Sequence, residues 1–473
     1  MSHTGFWRNL AGMVTSLGLL MVLAWLLVAC NPLPPTPEVA SPTEEPPATA
    51  APAPTETRNP AITYLTFWEP FALDRPQGLL LGEMVRAFES EYPTISIELI
   101  PKEGYGGLHY AMLDQLAAGP EGELPTLAVA FPGMIAHYAA AGVLAPLDLY
   151  LDDPQLGLSE EDRADIYPNL LEMGRLPGQP RPLWSFPFVQ NAVGLWVNES
   201  LLGQAGWDRP PATWDEFERA CFDLYALNGS PCYPFIESVT TFEAWLNSRG
   251  GRLLDETGRR AAFNEAAGVE SLALLRRLID AGLARPPEMT FGDYVAFANG
   301  QAAFTFASTG SGDLYAQAYE AAVHKGMEPF QWRQVMIPQA DPANPATVLY
   351  GANFFIVRGE PEKEKAAWLF IRWFTARDQT ARWAATLETL PVRASALEVM
   401  TDTLETYPFV RAQVEDILPY GRPEPAIPEA FEVRDILHTA ILSVTQGYTD
   451  PQAALDQAAG QVNTLLGSGH QAP

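Results

Sequence analysis

The sequence is poor in cysteine and lysine, and each shortage excludes a class of protein. Three cysteines among 473 residues are too few for a disulfide-stabilised framework. Cys221 and Cys232 could form one bridge in an oxidising compartment or remain two buried thiols. The chain has only four lysines, and its 29 basic residues stand against 57 acidic ones, which gives a net charge of −28. Because phosphate backbones attract basic surfaces, this charge predicts that the chain does not bind nucleic acid.

Motifs that support catalysis or bind metals are missing as well. The six histidines are scattered, and no HExxH motif or cysteine–histidine spacing typical of zinc sites occurs. The chain has neither a GxSxG elbow nor the GxxxxGK[ST] loop of P-loop proteins. GSGDLY (residues 310–315) has only two of the three glycines of a dinucleotide-binding loop. The sequence therefore gives no reason to expect a metal, a cofactor or an enzyme.

The N-terminal segment has the features of a targeting sequence. Residues 10–29 carry no charge, and about 20 apolar residues are enough to span a bilayer as a helix. They also exceed the apolar core of about 7–15 residues in an ordinary secretory signal. LVAC (residues 27–30) resembles the bacterial lipobox, in which the cysteine receives a lipid. This resemblance implies a lipoprotein signal peptide at 1–29 and a mature protein that begins at a lipidated Cys30. The alternative is an uncleaved membrane helix.

A proline-rich stretch follows Cys30. Ten of residues 31–60 are proline, and most of the others are alanine, threonine, glutamate and serine. Such a composition cannot bury a hydrophobic core, so we expect residues 30–60 to form an extended or disordered tether. The folded part should begin near Ala61, and residues 467–473 should form a flexible tail.

The rest of the chain alternates between strand and helix patterns. ITYLTFW (62–68) and ISIELI (95–100) are predicted strands, and GLLLGEMVRAFESEY (78–92) between them is a predicted amphipathic helix. A second round begins with VGLWVN (193–198) and continues with a helix at 210–229, where Thr213 and Glu216 fit a capping box. The alternation predicts an α/β fold with parallel strands, in a chain long enough for about two or three domains.

Several sequence blocks, taken in order, resemble the extracellular solute-binding proteins of ABC importers. The blocks LTFWEP, AFESEYPTISIELI, SFPFVQNAVGLWVNESLLGQAGWDRPPATWDEF, AFANGQAAFTFASTGSG, YGANFFIV and LPVRASAL are similar to the branch with the maltose- and glycerol-phosphate-binding proteins (family 1). The resemblance extends from Ile62 to Leu466. It implies a two-lobe periplasmic-binding-protein-like fold of type II, with a ligand cleft between the lobes.

In that fold the chain crosses between the lobes three times. The resemblance places these hinge crossings near Pro187, Pro338 and Pro391. The N-terminal lobe would then comprise residues 61–187 with 338–391, and the C-terminal lobe residues 188–337 with 392–466. Open α/β sheets bind ligands beyond the carboxyl ends of their strands, so we expect the ligand contacts to lie there.

The resemblance also implies which residues contact the ligand. Trp68 would stack on the apolar face of a sugar, Glu69 would accept hydrogen bonds from its hydroxyls, and the small Gly351 would let it approach the backbone. Hydroxyl and N–H groups of residues 308–311, at the start of a helix, would bind hydroxyls or an anion. The arginine of phosphate-binding relatives falls in an uncharged stretch, with Arg422 and Arg434 nearby. The full predicted set is Trp68, Glu69, Tyr105, Phe131, Asn191, Ser238, Trp245, Ser308, Thr309, Gly310, Ser311, Tyr350, Gly351 and Asn353.

These features predict a monomeric, lipid-anchored receptor that works outside the cell membrane. It would capture a sugar or oligosaccharide and deliver it to an ABC permease, whose separate ATPase supplies the energy. Within the same class, a glycerol-phosphate-type ligand is the alternative. From other classes, the alternatives are an extracytoplasmic hydrolase and a structural envelope protein. The hydrolase would need a carboxylate pair or a nucleophile–base pair that the sequence does not show.

Mass spectrometry of the mature protein tests the lipid anchor. We expect an N-terminal Cys30 that carries acyl chains and no peptide from residues 1–29. Cys30→Ala should leave the precursor unprocessed by the lipoprotein pathway. An intact N-terminus with an unmodified cysteine would instead make residues 10–29 a membrane helix.

Overall fold

Strands of two sheets build the folded part of the chain. The computed structural model describes residues 59–177, 181–289 and 292–468, which belong to one compact unit. In these ranges β5 and β6 pair with each other, and the other eight strands form the main sheet. The strands are β1 (Thr63–Glu69), β2 (Ile95–Pro101), β3 (Leu127–Ala130), β4 (Phe186–Asn198), β5 (Tyr233–Pro234), β6 (Ala284–Arg285), β7 (Phe304–Ser308), β8 (Trp332–Val335), β9 (Thr347–Ile356) and β10 (Gly421–Pro423).

Helices cover the sheets and fill the connections between strands. The α-helices are α1 (Pro76–Glu91), α2 (Gly104–Ala118), α3 (Pro132–Ala140), α4 (Asp148–Leu151), α5 (Glu160–Ala164), α6 (Pro168–Glu172), α7 (Glu199–Gln204), α8 (Trp214–Asn228), α9 (Val239–Ser248), α10 (Ala266–Asp280), α11 (Gly292–Ala298), α12 (Gly312–His324), α13 (Pro361–Phe374), α14 (Arg377–Leu387), α15 (Thr401–Thr406), α16 (Phe409–Ala412), α17 (Ala430–Thr445) and α18 (Pro451–Ser468). Short 3₁₀ turns lie at Gly119–Glu121, Thr309–Ser311, Ala394–Glu398 and Leu418–Tyr420, and a π-turn at Gln413–Ile417. In the described part of the chain, no helix has both the length and the apolar character needed to cross a bilayer.

The predicted signal peptide, the lipidation site Cys30 and the tether up to residue 58 lie outside the described residues, as do residues 469–473 of the predicted tail. Their assignments stay predictions.

Local sequence signals set the ends of the helices. Thr213 caps α8, where its Oγ1 accepts a hydrogen bond from the backbone N–H of Glu216 at 3.2 Å. The Glu216 carboxylate accepts from the backbone N–H of Thr213 and also from that of Ala212, at 2.8 Å, so the reciprocal pattern of a capping box is present. Gly229 ends the helix with φ of 68°, a left-handed conformation that glycine adopts without steric strain. The predicted helix is thus confirmed, with Trp214 as its first residue.

The order of strands in the main sheet is β2-β1-β3-β9-β4-β7, with β10 beside β9 and β8 beside β4. β1 runs parallel to β2 and β3, as the alternating pattern predicted. β9 is antiparallel to both β3 and β4. Residues 186–192 of β4 pair with β9, whereas residues 193–198 pair with β7 and β8. One 13-residue strand therefore takes part in two halves of the sheet.

Three large hydrophobic cores and two smaller clusters occur in the described residues. The first core packs α1 and α13 against β1, β3 and β9, the second packs α8 against β7, and the third joins α9 and α10 to α17 and α18. Representative buried members are Phe67, Phe88 and Phe370 of the first core, Phe217, Trp245 and Phe306 of the second, and Leu246, Phe263 and Leu437 of the third.

Side-chain packing changes from the first to the second core within strands rather than at prolines. The change falls between Ala192 and Val193 in β4 and between Val348 and Leu349 in β9. Buried residues of 392–418, which the sequence placed in the second lobe, pack in the first core. The proposed crossing at Pro187 coincides instead with a β-bulge in β4. The lobe limits drawn from the sequence therefore stay a prediction, and the packing favours later limits, after residue 192, near residue 348 and beyond residue 418.

Cys221 and Cys232 are joined in a disulfide, with 5.3 Å between their Cα atoms. The bridge ties α8 to the residue that precedes β5, beside the second core. Of the two sequence alternatives, the structure therefore has the bridge.

Gly351 allows β4 and β9 to approach each other closely. Its φ is +154°, and a Cβ atom added there would lie 1.9 Å from the carbonyl oxygen of Val189. We predict that Gly351→Ala lowers the free energy of unfolding by about 1–3 kcal/mol, the usual penalty of overpacking. Thermal unfolding measures this. Gly359→Ala is the matched control, because no atom lies within 4 Å of its added Cβ. Equal stability of the two variants would contradict the prediction.

Candidate functional site

A cavity of about 300 Å³ lies between the first and third cores. Three aromatic residues, Phe131, Tyr350 and Phe431, form part of its wall. Its polar side chains are Thr240, Glu243, Glu424 and Arg434, and aliphatic residues such as Leu253, Leu254 and Ile427 complete it.

A second cavity, of about 400 Å³, adjoins the first and shares Glu243 and Glu424 with it. Its wall is more polar and includes Arg175, Arg252 and Arg422. Together the two cavities form one two-part cleft, which we call the aromatic cavity and the arginine cavity. A cavity of about 550 Å³ beside α11 shares no lining residue with them and contains none of the predicted contacts.

Arg434 is held in place by two neighbours in the aromatic cavity. Its Nη1 donates to Glu424 Oε1 at 2.7 Å, and its Nη2 donates to Thr240 Oγ1 at 2.6 Å. About one fifth of the Glu424 side chain is exposed, at 21%. The guanidinium therefore already has one carboxylate partner within the protein.

Glu243 differs, because no group of the described residues hydrogen-bonds to its Oε2. The residue is only 2% exposed. Burial raises the pKa of Glu243 well above its usual range, nearby Glu424 raises it further, and Arg434 opposes both. The helical period explains the burial, because Val239, Phe242 and Leu246 share one face of α9 with it.

Two of the predicted contacts, Phe131 and Tyr350, line the aromatic cavity. Phe131 precedes α3, directly after β3, and Tyr350 lies in β9. Burial raises the pKa of the Tyr350 hydroxyl to about 12, partly offset by its interaction with the Ser308 side chain. The Tyr105 ring packs behind Phe131, with 4.6 Å between ring centroids. The carboxyl ends of β2 and β3 thus bring two predicted residues, Tyr105 and Phe131, together.

Trp68 and Glu69 lie deeper, at the end of β1. Trp68 is 6% exposed, with the Nζ of Lys102 3.9 Å from the centre of its ring. Glu69 is fully buried, and its Oε2 accepts a hydrogen bond from the N–H of Phe71 at 2.6 Å. Its Oε1 has no partner among the described residues. Burial raises the pKa of Glu69 to about 7. Neither residue belongs to the wall of the aromatic cavity.

Residues 308–311 are bonded mainly to the protein itself. Thr309 Oγ1 accepts from the N–H of Ala192 at 3.1 Å, and Ser311 Oγ donates to the carbonyl of Ser308 at 2.6 Å. A Cβ on Gly310 would lie 2.6 Å from Asn191 Oδ1, so the loop packs tightly on β4. The loop therefore lies outside the walls of both cavities.

The remaining predicted contacts occupy structural positions. Asn353 is fully buried and bonded to Ser185 and Gln190, at 3.0 and 2.9 Å. Ser238 caps α9, and Trp245 packs on Trp214 in the second core. The space beside Gly351 is filled by β4 rather than left for a ligand. As ligand contacts, these residues stay predictions.

Sequence reasoning missed the charged part of the aromatic cavity. The residues around Glu243 contain a usable signal, because an acid among apolar residues at helical spacing (Val239, Phe242, Leu246) is unusual. The sequence showed Arg434 near the position of the relatives' arginine but did not assign it to the site. No sequence pattern pointed to Glu424. No cluster of acidic, histidine or cysteine side chains in the described residues has the arrangement needed to hold a metal ion.

Comparisons with known proteins agree with this architecture. The family model described as "Bacterial extracellular solute-binding protein" matches residues 73–381. The sn-glycerol-3-phosphate-binding periplasmic protein UgpB of Yersinia pseudotuberculosis is 23% identical over 433 residues, which cover 86% of this chain and 93% of that protein.

Solved structures share the fold. The cyclic alpha-maltosyl-1,6-maltose binding protein from Arthrobacter globiformis has a TM-score of 0.72 at 22% identity, over 86% of this chain and all of that one (100%). UgpB from Mycobacterium tuberculosis, in complex with glycerophosphocholine, has a TM-score of 0.67 at 22% identity, with the same coverage of 86% and 100%. These matches establish the two-lobe α/β fold.

Replacing Glu69 tests whether its burial makes stability depend on pH. The folded protein keeps the proton on Glu69 to about pH 7, whereas the unfolded chain loses it near 4.5. The contribution to stability is therefore complete below pH 4.5 and is lost as pH rises through 7. We predict that Glu69→Gln matches the parent at pH 4 and exceeds its free energy of unfolding by about 1–3 kcal/mol at pH 8.

Denaturant unfolding at several pH values measures the difference between variant and parent. Glu98→Gln, at an exposed position of the neighbouring β2, is the control and should follow the parent at every pH. A constant difference between Glu69→Gln and the parent from pH 4 to 8 would contradict the prediction.

Proposed function

The chain belongs to the bacterial extracellular solute-binding protein family, and on that premise we propose that it captures a carbohydrate and delivers it to the permease of an ABC importer. The observation that carries the proposal is the composition of the aromatic cavity. Phe131, Tyr350 and Phe431 offer apolar faces, while Glu243 and Arg434 offer hydrogen-bonding groups. A sugar presents both kinds of surface, C–H faces and hydroxyls, and pockets of this mixed type bind such ligands.

The relatives support the carbohydrate class. The Arthrobacter globiformis protein binds a cyclic maltosyl-maltose, and the sugar-binding protein MalE of Xanthomonas citri has the same fold, with a TM-score of 0.72. Those names describe the relatives. We extend the carbohydrate class to this chain because both aromatic and charged side chains line the aromatic cavity.

A glycerol-phosphate-type ligand is the second candidate. Arg422 lines the arginine cavity and has no carboxylate partner among the described residues. Burial and the nearby Arg252 lower the pKa of Arg422, as expected for a cation without a counter-charge. A phosphate would supply that counter-charge. The two UgpB relatives, named for sn-glycerol-3-phosphate and solved with glycerophosphocholine, favour this reading.

The anchor and the partners complete the proposal. A lipidated Cys30 and the proline-rich tether would hold the receptor outside the membrane, close to its permease, and the receptor would act as a monomer without catalysis. A ligand that contacts both sides of the cleft would favour the closed form. Only a difference in affinity between open and closed forms shifts that equilibrium. The ATPase of the importer, a separate protein, would supply the energy of transport.

A thermal-shift screen against maltose, other sugars and glycerol 3-phosphate tests the ligand class. A ligand that binds only the folded protein stabilises it by about 2.7 kcal/mol at one hundred times its Kd. We expect one or more sugars to raise the unfolding temperature. A response to glycerol 3-phosphate alone, lost in Arg422→Met, would favour the second candidate.

The bound sugar can then be used to test Tyr350. We predict that Tyr350→Ala weakens binding by about 0.5–1.5 kcal/mol beyond the loss of buried area, because a stacking ring is removed. Tyr350→Phe keeps the ring and should stay close to the parent. Tyr110→Ala, at a position 69% exposed, is the control for loss of a tyrosine elsewhere. Calorimetric affinities that are equal in Tyr350→Ala and Tyr110→Ala would remove Tyr350 from the site.

A further inference from the structure

The aromatic cavity has more acidic than basic side chains. Its wall contains two acids, Glu243 and Glu424, but one basic side chain, Arg434. Arg434 is bonded to Glu424 and to Thr240. In the described part of the chain, no salt bridge reaches Glu243, and its Oε2 has no hydrogen-bond partner. Glu243 is therefore a buried acid at a cavity wall without a counter-ion.

A buried carboxyl of this kind is unfavourable unless something pairs with it. Burying an apolar side chain stabilises the folded protein, whereas burying an acid without a partner destabilises it. Packing therefore gives no reason to have glutamate at this position. Glu243 is 2% exposed, yet it borders both the aromatic and the arginine cavity. The missing partner can therefore come from a ligand in the cleft.

Aromatic rings line the same cavity. Phe131, Tyr350 and Phe431 contribute to its wall together with Glu243. The faces of aromatic rings attract cations, and aromatic pockets recognise ammonium groups in this way. A carboxylate beside such rings combines two attractions for the same kind of ligand group.

We propose that the ligand carries a cationic nitrogen, which binds in the aromatic cavity between the Glu243 carboxylate and the aromatic rings. The proposal rests on the proposed function and narrows its substrate class to hydroxylated molecules with one amine or quaternary ammonium group. A neutral sugar can exchange hydrogen bonds with Glu243, but only a cationic group stabilises its ionised form, which burial disfavours. A charged nitrogen supplies a counter-ion in the same position.

Two kinds of molecule have this chemistry. One is an amino sugar, and the other is a glycerol phosphodiester of choline, whose phosphate could reach Arg422 in the arginine cavity. The cationic nitrogen is common to both, and the anionic group is present only in the second. Arg422→Met therefore separates the two sources, because it should weaken only the phosphodiester.

The experiment compares probes that differ in the nitrogen. Calorimetry on the full folded chain would pair glucosamine with glucose, and glycerophosphocholine with glycerophosphoglycerol, a phosphodiester without nitrogen. We expect the cationic member of at least one pair to bind about ten-fold or more tightly than its partner, because an amine adds a charge-assisted hydrogen bond and a quaternary ammonium adds electrostatic and cation–π attraction.

Glu243→Gln removes the group that can ionise beside a bound cation and keeps the shape of the side chain. It should weaken the cationic probe by about ten-fold or more and change a neutral probe by less than about two-fold. Glu432→Gln is the matched control, because Glu432 is an exposed acid on α17 that lies outside the wall of both cavities. This control separates local pairing from the general loss of one negative charge.

Different binding results would contradict the cationic ligand and the carbohydrate receptor. Neutral sugars that bind as tightly as their amino counterparts, with equal affinity in Glu243→Gln, would overturn the inference and leave the carbohydrate receptor standing. Binding of glycerophosphocholine or free choline without any sugar, lost in Glu243→Gln, would support the inference and overturn the carbohydrate class. Because the paired probes are first compared on the unaltered protein, the test does not depend on the stability of the variant.

Discussion

The antiparallel pairing of β4 with β9 is the constraint on which the rest of the molecule depends. These two strands leave the first core and enter the second, so each contributes side chains to both. Side chains reinforce the backbone ladder, as Gln190 Nε2 donates to the carbonyl of Ala352 at 3.1 Å and Thr347 Oγ1 to the carbonyl of Val193 at 2.7 Å. The N–H of Leu390 also donates to the carbonyl of Gln190 at 2.8 Å. Because both halves of the molecule share β4 and β9, one half can rotate relative to the other if these strands bend. Sliding of one half along the other would break the β4–β9 hydrogen bonds.

The cleft follows from this arrangement. β9 brings Tyr350 to one side of it, and β3 ends at Phe131 on the same side. α9 and α17, which pack together in the third core, bring Glu243 and Arg434 from the other. Aromatic rings and charged groups from separate segments of the chain therefore line one space of about 300 Å³. A ligand that pairs with Glu243 would offset the burial of an acid that packing does not explain.

Much of the fold was predictable, because helical and strand periods are local properties. β1, β2 and α1 lie where the apolar spacing predicted them. α13 ends at Phe374, and the next residue, Thr375, donates its Oγ1–H to the carbonyl of Ile371 at 2.8 Å before α14 begins at Arg377. The limits of the lobes were less predictable, because they depend on which core receives each side chain.

The sequence by itself determined the α/β class, the family resemblance and the position of Phe131 directly after a strand. These depend on patterns that a few consecutive residues contain. Only the tertiary structure decided that Trp245 packs in a core while Glu243, two residues before it on the same helix, borders a cavity. It also decided that Arg434 pairs with Glu424. The physical reason is that periodicity tells which face of a helix is covered, whereas what covers it comes from other segments of the chain, such as Trp214 and Phe306 for Trp245.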